Sequence, residues 1–228
     1  MSIFSRSQRP VEILVNHCST KTERMRIEIE NFSGEGIVAA IDVLTEFRLR
    51  YFQEFPYLYV GTEEGERQHL AEYVANPTAR LHIARDRDVN DKIVGIAIGT
   101  LLSSETEILH QIGEPLRCHG IVPERCYYFG EMIFDPEYRN QGLGKKMLGI
   151  LKIAGREQGA DRFCFLAVAR DANDIRRPAN HVDSEVIFRK FGFEKTDIFV
   201  TFEWPTIQAD GSIAKVSNRL DLWIDREK

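Results

Sequence analysis

Cysteine is scarce in this chain. The four that occur in 228 residues, Cys18, Cys118, Cys126 and Cys164, form no CxxC pair. They are too few and too scattered to staple a domain with disulfides. Cys118-His119 and Cys126 make half of a zinc site at most, because no second Cys/His pair stands at ligand spacing. No resident metal is expected. Long apolar runs are missing as well. Candidates such as residues 127–134 and 163–168 fall far short of the roughly 20 residues that a spanning helix needs. A surplus of positive charge is absent: 30 Lys and Arg stand against 35 Asp and Glu, a net charge of −5. Proteins that grip phosphate backbones usually carry the opposite balance. Neither nucleic acid nor a membrane is expected as a partner. Internal repeats and low-complexity segments are lacking. Residues 1–10 contain arginines but no following apolar stretch of signal type, so the expected compartment is the cytoplasm.

What is present is a globular composition, 43% apolar and 29% charged. Residues 1–23 read as an N-terminal extension and 24–228 as one domain. Residues 24–32 (RMRIEIENF) alternate charged and apolar positions, the pattern of a half-buried strand. Ile37, Ala40, Ile41, Leu44, Arg48 and Tyr51 follow with helical spacing, ended by Pro56. Thr62 caps a second helix whose first turn holds Glu63, Glu64 and Glu66, at the positive end of the dipole. That helix buries Leu70, Tyr73 and Val74. Residues 80–85 and 93–102 form a hairpin around a polar turn. Residues 103–125 show weak periodicity with two glycines and two prolines, and read as an excursion with one helical turn. Two near-continuous apolar strands, 127–134 and 163–168, flank a helix over 142–158. Such a strand–helix–strand unit implies a parallel pair buried on both faces. A short helix over 183–191 ends at Gly192. Residues 197–204 and 215–224 close the chain as an antiparallel hairpin.

The richest stretch is the turn after the first of those apolar strands, Phe134-Asp-Pro-Glu-Tyr-Arg-Asn-Gln-Gly-Leu-Gly-Lys-Lys146. Gly142 and Gly144 let the backbone approach a ligand closely. The free N–H groups of a first helical turn stabilise an anion. Arg139, Lys145, Lys146 and Lys152 fall in a stretch without a single acid, which suits a bound pyrophosphate. A Walker A loop does not fit, because no Ser or Thr follows Lys145 in the required register. A Rossmann fingerprint does not fit either, since Met147 replaces its third glycine.

At these residues the sequence resembles the GNAT superfamily of acyl-CoA-dependent N-acetyltransferases, and its wider arrangement is similar to a bacterial branch of it. The superfamily signature Arg/Gln-x-x-Gly-x-Gly/Ala reads here Arg139-Asn-Gln-Gly142-Leu-Gly144. A second element reads Phe188-Arg-Lys190-Phe-Gly192-Phe193. The resemblance implies an α/β fold with a central mixed sheet of about seven strands, a splayed parallel pair, and helices on both faces. It implies acetyl-CoA as co-substrate and a small-molecule or peptide amine as acceptor. A homodimer is left open. The cofactor would lie along Met132, Ile133 and Phe134 and on Arg139, Asn140, Gln141, Gly142, Leu143, Gly144 and Lys145. Asn173 and Asn180 compete for a contact with the pantetheine arm. Phe188 stands where the family often has a tyrosine, and cannot donate a proton. An acyl-CoA-binding sensor that has lost catalysis is therefore the alternative.

Glu131 is the only charged residue in 127–134. A carboxylate in an apolar strand is disfavoured unless it is paired or used. Burial would raise its pKa toward that of a useful base. Its competing role is a structural ion pair with an arginine. Glu203, in the penultimate strand, is the reserve candidate. The acceptor chamber is expected from residues 55–59, 103–125 and 204–214. Arg176, Arg177 and His181 stand in the polar loop before the last helix.

Overall fold

A computed structural model of the protein describes residues 11–16 and 24–226. Cys18 and most of the expected N-terminal extension lie outside them. Eight strands form one sheet in the order β1-β2-β3-β4-β5-β6-β8-β7. They are β1 (Val11–Asn16), β2 (Arg24–Phe32), β3 (Arg80–Asp86), β4 (Lys92–Leu101), β5 (Cys126–Phe134), β6 (Arg162–Val168), β7 (Phe193–Ile207) and β8 (Ile213–Asp225). The sheet has one strand more than expected. The extra strand, β1, comes from the expected extension and pairs antiparallel with β2. All neighbours are antiparallel except β5 and β6.

Among the described residues six α-helices cover the two faces: α1 (Glu35–Val38), α2 (Ile41–Tyr51), α3 (Glu63–Ala75), α4 (Thr106–Cys118), α5 (Leu143–Glu157) and α6 (Ser184–Lys190). One face carries α5, whose Leu143, Met147, Leu148 and Leu151 pack on Tyr127, Phe129 and Phe163. Phe188 of α6 joins the same cluster. On the other face α1 to α3 cover β3 and β4 through Leu44, Leu70, Ile83 and Ile96. Beside them α4 covers β6, β7 and β8 through Ile112 and Leu116. No described helix is long and apolar enough to cross a membrane.

Local chemistry explains most boundaries. Thr62 Oγ1 accepts from Gly65 N at 3.2 Å and starts α3 as a cap. The helix expected from Ile37 to Tyr51 is instead two pieces. The chain tightens where Ala40 N bonds Ile37 O at 2.9 Å, an i→i+3 turn between α1 and α2. The expected excursion at 103–125 is mostly α4, a 13-residue helix carrying Pro115 in its last turn. Its glycine and proline hide an apolar stripe at Ile112 and Leu116 that is buried against the sheet.

Candidate active site

Two irregularities in the sheet create the site. The first is the splay. β5 and β6 pair only from Cys126–Arg162 to Tyr128–Cys164. Beyond that point β5 still bonds β4, and β6 still bonds β8. Residues 129–134 and 165–168 therefore border a gap in the middle of the sheet. Met132, Ile133 and Phe134 all stand on its β5 rim.

The second irregularity is a bulge. Across β4, Ile98 faces Glu131 but Gly99 faces Phe129, so Gly130 is the extra residue. Side chains alternate with period two along a strand, and a bulge resets the count. Tyr127 and Phe129 point at α5. Without the bulge Glu131 would follow them into that core. With it, Glu131 and Ile133 turn to the face of α2 and α3, while Met132 and Phe134 keep to α5.

There Glu131 meets a polar cluster. Its Oε1 accepts from Arg48 Nη1 of α2 and lies 3.7 Å from His69 Nε2 of α3. Its Oε2 is buried without a hydrogen-bond partner. Arg48 Nε also donates to Glu66 of α3. The hydroxyl of Tyr59 donates to the other Glu66 oxygen at 2.5 Å. Burial works to raise the Glu131 pKa, but Arg48 and His69 outweigh it and hold the carboxyl below its ordinary value. The expected upward shift is thus overturned: a guanidinium beside a buried carboxylate stabilises the charged form more than desolvation disfavours it. The ion pair anticipated as the competing role exists, with its arginine on a helix. Glu105, at the start of α4, is different. Burial, aided by Glu72 and Glu131, pushes its carboxyl up to about 7 against the opposing pull of His69.

At the far end of β5, the chain turns into α5 through two left-handed residues, Asn140 (φ 63°) and Gly142 (φ 84°). Gly142 is the residue that precedes Leu143, the first of α5. A side chain at 142 would meet no protein atom within 4 Å, so the ground above the helix start is open. The first amides of a helix have no intrahelical carbonyl, and they face this ground. Leu143 itself is a core residue, so only its backbone can serve a ligand. Gln141 Nε2 donates to Glu137 O at 2.7 Å, and its Oε1 is buried without a partner. Lys145 and Asn140 are exposed.

The cations of this stretch are not gathered at one spot. Arg139 donates through Nε to Phe134 O at 2.9 Å and through Nη1 to Glu54 at 3.0 Å. Lys152 stands over the rings of Phe163 and Phe193, at 5.3 and 4.8 Å. Lys145 is exposed in the first turn of α5.

A wall closes the site beyond Glu131. The Phe52 and Tyr57 rings stack at 4.5 Å, and Trp204 of β7 lies parallel to Tyr57 at 6.5 Å. Arg170, just past β6, donates to the carbonyls of Pro56 and Tyr57 at 2.7 and 2.9 Å. Val60 N bonds Pro205 O at 2.9 Å. Residues 55–59 and Trp204 therefore come together as expected. From the excursion at 103–125, Glu105 is the residue that interacts with Glu131.

Other candidates stand apart. Glu203 faces solvent beside Lys215 at 3.7 Å. Arg176 is held by Asp174 and Ile207 O, and Arg177 by Asp183. His181 packs edge-on against Phe55 at 4.7 Å. Asn173 and Asn180 are both exposed. Phe188 wedges against Phe165 and Trp223 at 4.7 and 5.2 Å, a packing role for which its ring suffices.

The comparisons agree with this architecture. The model of the acetyltransferase (GNAT) family matches residues 42–178, more than half of the chain. A comparison with curated proteins finds no match. Among solved structures, mosquito arylalkylamine N-acetyltransferase like 5b is similar at a TM-score of 0.55 and 14% identity, over 86% of this chain and 99% of its own. A Drosophila melanogaster polyamine N-acetyltransferase, which forms N-acetylagmatine, is similar at 0.53 and 14%, over 88% and 100%. Nourseothricin acetyltransferase shares 17% identity over 65% of each chain, at a TM-score of 0.39. At these identities the likeness is one of fold. The turn at Arg139–Gly144, the splayed parallel pair and the matched family model lead to one statement: the chain belongs to the acetyltransferase (GNAT) family.

Proposed function

We propose that the protein is a cytoplasmic enzyme that moves an acetyl group from acetyl-CoA to a primary amine of a small molecule or peptide. One observation carries the reading. A buried carboxylate, Glu131, has one oxygen anchored by Arg48 and the other without a partner, on the rim of the strand gap that opens past the Tyr128–Cys164 pair.

The residues present fit acetyl-CoA. The open ground above Gly142 and the amides of 142–145 suit a pyrophosphate. The gap beside Met132, Ile133 and Phe134 suits an extended amide chain, which behaves there like an added strand. The co-substrate supplies the thioester carbonyl that the amine attacks. An alkyl ammonium with pKa near 10.4 leaves about one molecule in 2,500 as free base at pH 7. Glu131 attracts the ammonium and accepts its proton. The amine nitrogen then bonds to the carbonyl carbon and the C–S bond breaks. The second N–H proton ends on the departing sulfur. Thiolates leave readily, with thiol pKa near 8.5, so Phe188 is no obstacle.

The test is a thiol-release assay over an amine panel with wild type and Glu131→Gln. The variant should keep its affinity for acetyl-CoA. Turnover should fall on the order of 10²–10⁴ at neutral pH, and the loss should shrink at high pH. Wild-type turnover with any amine eliminates the sensor alternative. Near-wild-type turnover of Glu131→Gln at pH 7 removes Glu131 from the reaction.

A further inference from the structure

The balance of the proposed reaction leaves one proton over. An ammonium and a thioester become an amide and a thiol, and a proton must leave Glu131 before the next cycle. The Glu131 side chain is only 5% exposed, whereas that of His69 is 43% exposed. The two are 3.7 Å apart, Nε2 to Oε1. We propose that His69 is the positioning residue through which Glu131 discharges its proton to water. This rests on the catalytic reading of Glu131.

The other neighbours are unsuited to the task. Arg48 of α2 touches Oε1 but has no lone pair with which to accept a proton. Glu66 of α3 is committed to Arg48 and Tyr59. Tyr73 and Tyr128, both buried, and the half-buried Tyr57 lie around the carboxylate, and desolvation pushes all three phenols up, so they keep their protons. Glu105 approaches from the start of α4, with Glu72 of α3 beside it. Glu105 meets Glu131 as a like charge. Among the described residues paired with Glu131, His69 has the more exposed side chain, 43% against 12% for Arg48. Its ring also leans edge-on against Tyr73 at 5.6 Å, which fixes its plane.

The step is simple in its atoms. Protonated Glu131 gives its proton to the free Nε2 lone pair of a neutral imidazole. Arg48 favours this direction, because it stabilises the carboxylate that results. The imidazolium releases its Nδ1 proton to water, and the exposed ring exchanges tautomers in solvent. No oxidant or further co-reactant is needed.

The experiment compares wild type, His69→Ala, His69→Gln and Glu131→Gln in dilute buffer at fixed pH, with and without added imidazole. Both His69 variants should lose kcat on the order of tenfold to a hundredfold. Their KM values for acetyl-CoA and amine and their melting temperatures should stay near wild type. Imidazole should restore kcat in His69→Ala and leave wild type unchanged. Wild-type kcat in both His69 variants overturns the proposal, as does a loss that imidazole does not restore or that comes with a lower melting temperature. Glu131→Gln separates the two readings. If it is inactive while His69→Ala turns over normally, only the relay is lost. If it turns over normally, both readings fall.

Discussion

A methyl group at position 130 would collide with the hydroxyl oxygen of Tyr73. Gly130 is thus the bulged residue of β5 and also the floor on which the buried Tyr73 side chain rests. Gly130→Ala forces one of them to move, at an expected cost of about 1–3 kcal/mol. Denaturant midpoints should show that loss. In the double variant with Tyr73→Phe most of it should return, because the next atom, the ring carbon Cζ, is 3.3 Å away. No recovery in the double variant would mean that the backbone, not the hydroxyl, is the obstacle.

Gly142 makes the opposite case. Its Cβ would meet no protein atom within 4 Å, yet its φ is 84°. In the free protein, Gly142→Ala should therefore cost only the left-handed strain, roughly 1–2 kcal/mol. The new methyl instead points into the ground assigned to the pyrophosphate. Calorimetry with acetyl-CoA should show at least a tenfold loss of affinity, about 1.4 kcal/mol, in a variant that melts as one folded species. Unchanged affinity would remove the turn from the binding site.

Arg48 joins Glu131 and Glu66 inside the protein, and its removal strands two buried carboxylates. Arg48→Met should lower stability at neutral pH by about 3–5 kcal/mol. The pH dependence should reverse as well. In wild type the Glu131 pKa is held below its ordinary value, so its contribution is present above that value and lost as pH falls through the folded pKa. In the variant burial acts without the guanidinium and raises the pKa. The variant should then regain stability as pH falls from 7 toward 5, where wild type does not. Melting curves over that range decide the matter, and parallel curves for the two proteins would contradict it.

The turn at Arg139–Gly144 was legible because its chemistry is local: two left-handed residues, a buried strand before it and an amphipathic helix after it. The two apolar strands declared the parallel pair for the same reason. The bulge at Gly130 was not legible. It depends on the register with Ile98 and Gly99 of β4, and a lone glycine in a strand does not report its partner. Arg48 appeared only as a helix position, since its meeting with Glu131 spans 83 residues. With Arg48 hidden, the burial argument for Glu131 gave the wrong sign of pKa shift. Arg139 looked available for phosphate because Glu54 lies on a distant loop. α4 was missed because Gly113 and Pro115 interrupt a pattern that tertiary packing sustains.

Trp204 and Tyr57 close the wall beyond Glu131, and 147 positions separate them in the chain. Tyr59 and Thr206 bridge the same seam. The turn proposed to hold the acyl donor, by contrast, is contained between Phe134 and Lys145. A chain emerging from the ribosome has completed that turn and both strands of the gap by Val168, while the wall beyond Glu131 still has one side open. Under the proposed function, substitutions in the β7–β8 hairpin should retune which amine is admitted without touching the turn at Gly142, and grafting that hairpin from another member should exchange this wall as a unit.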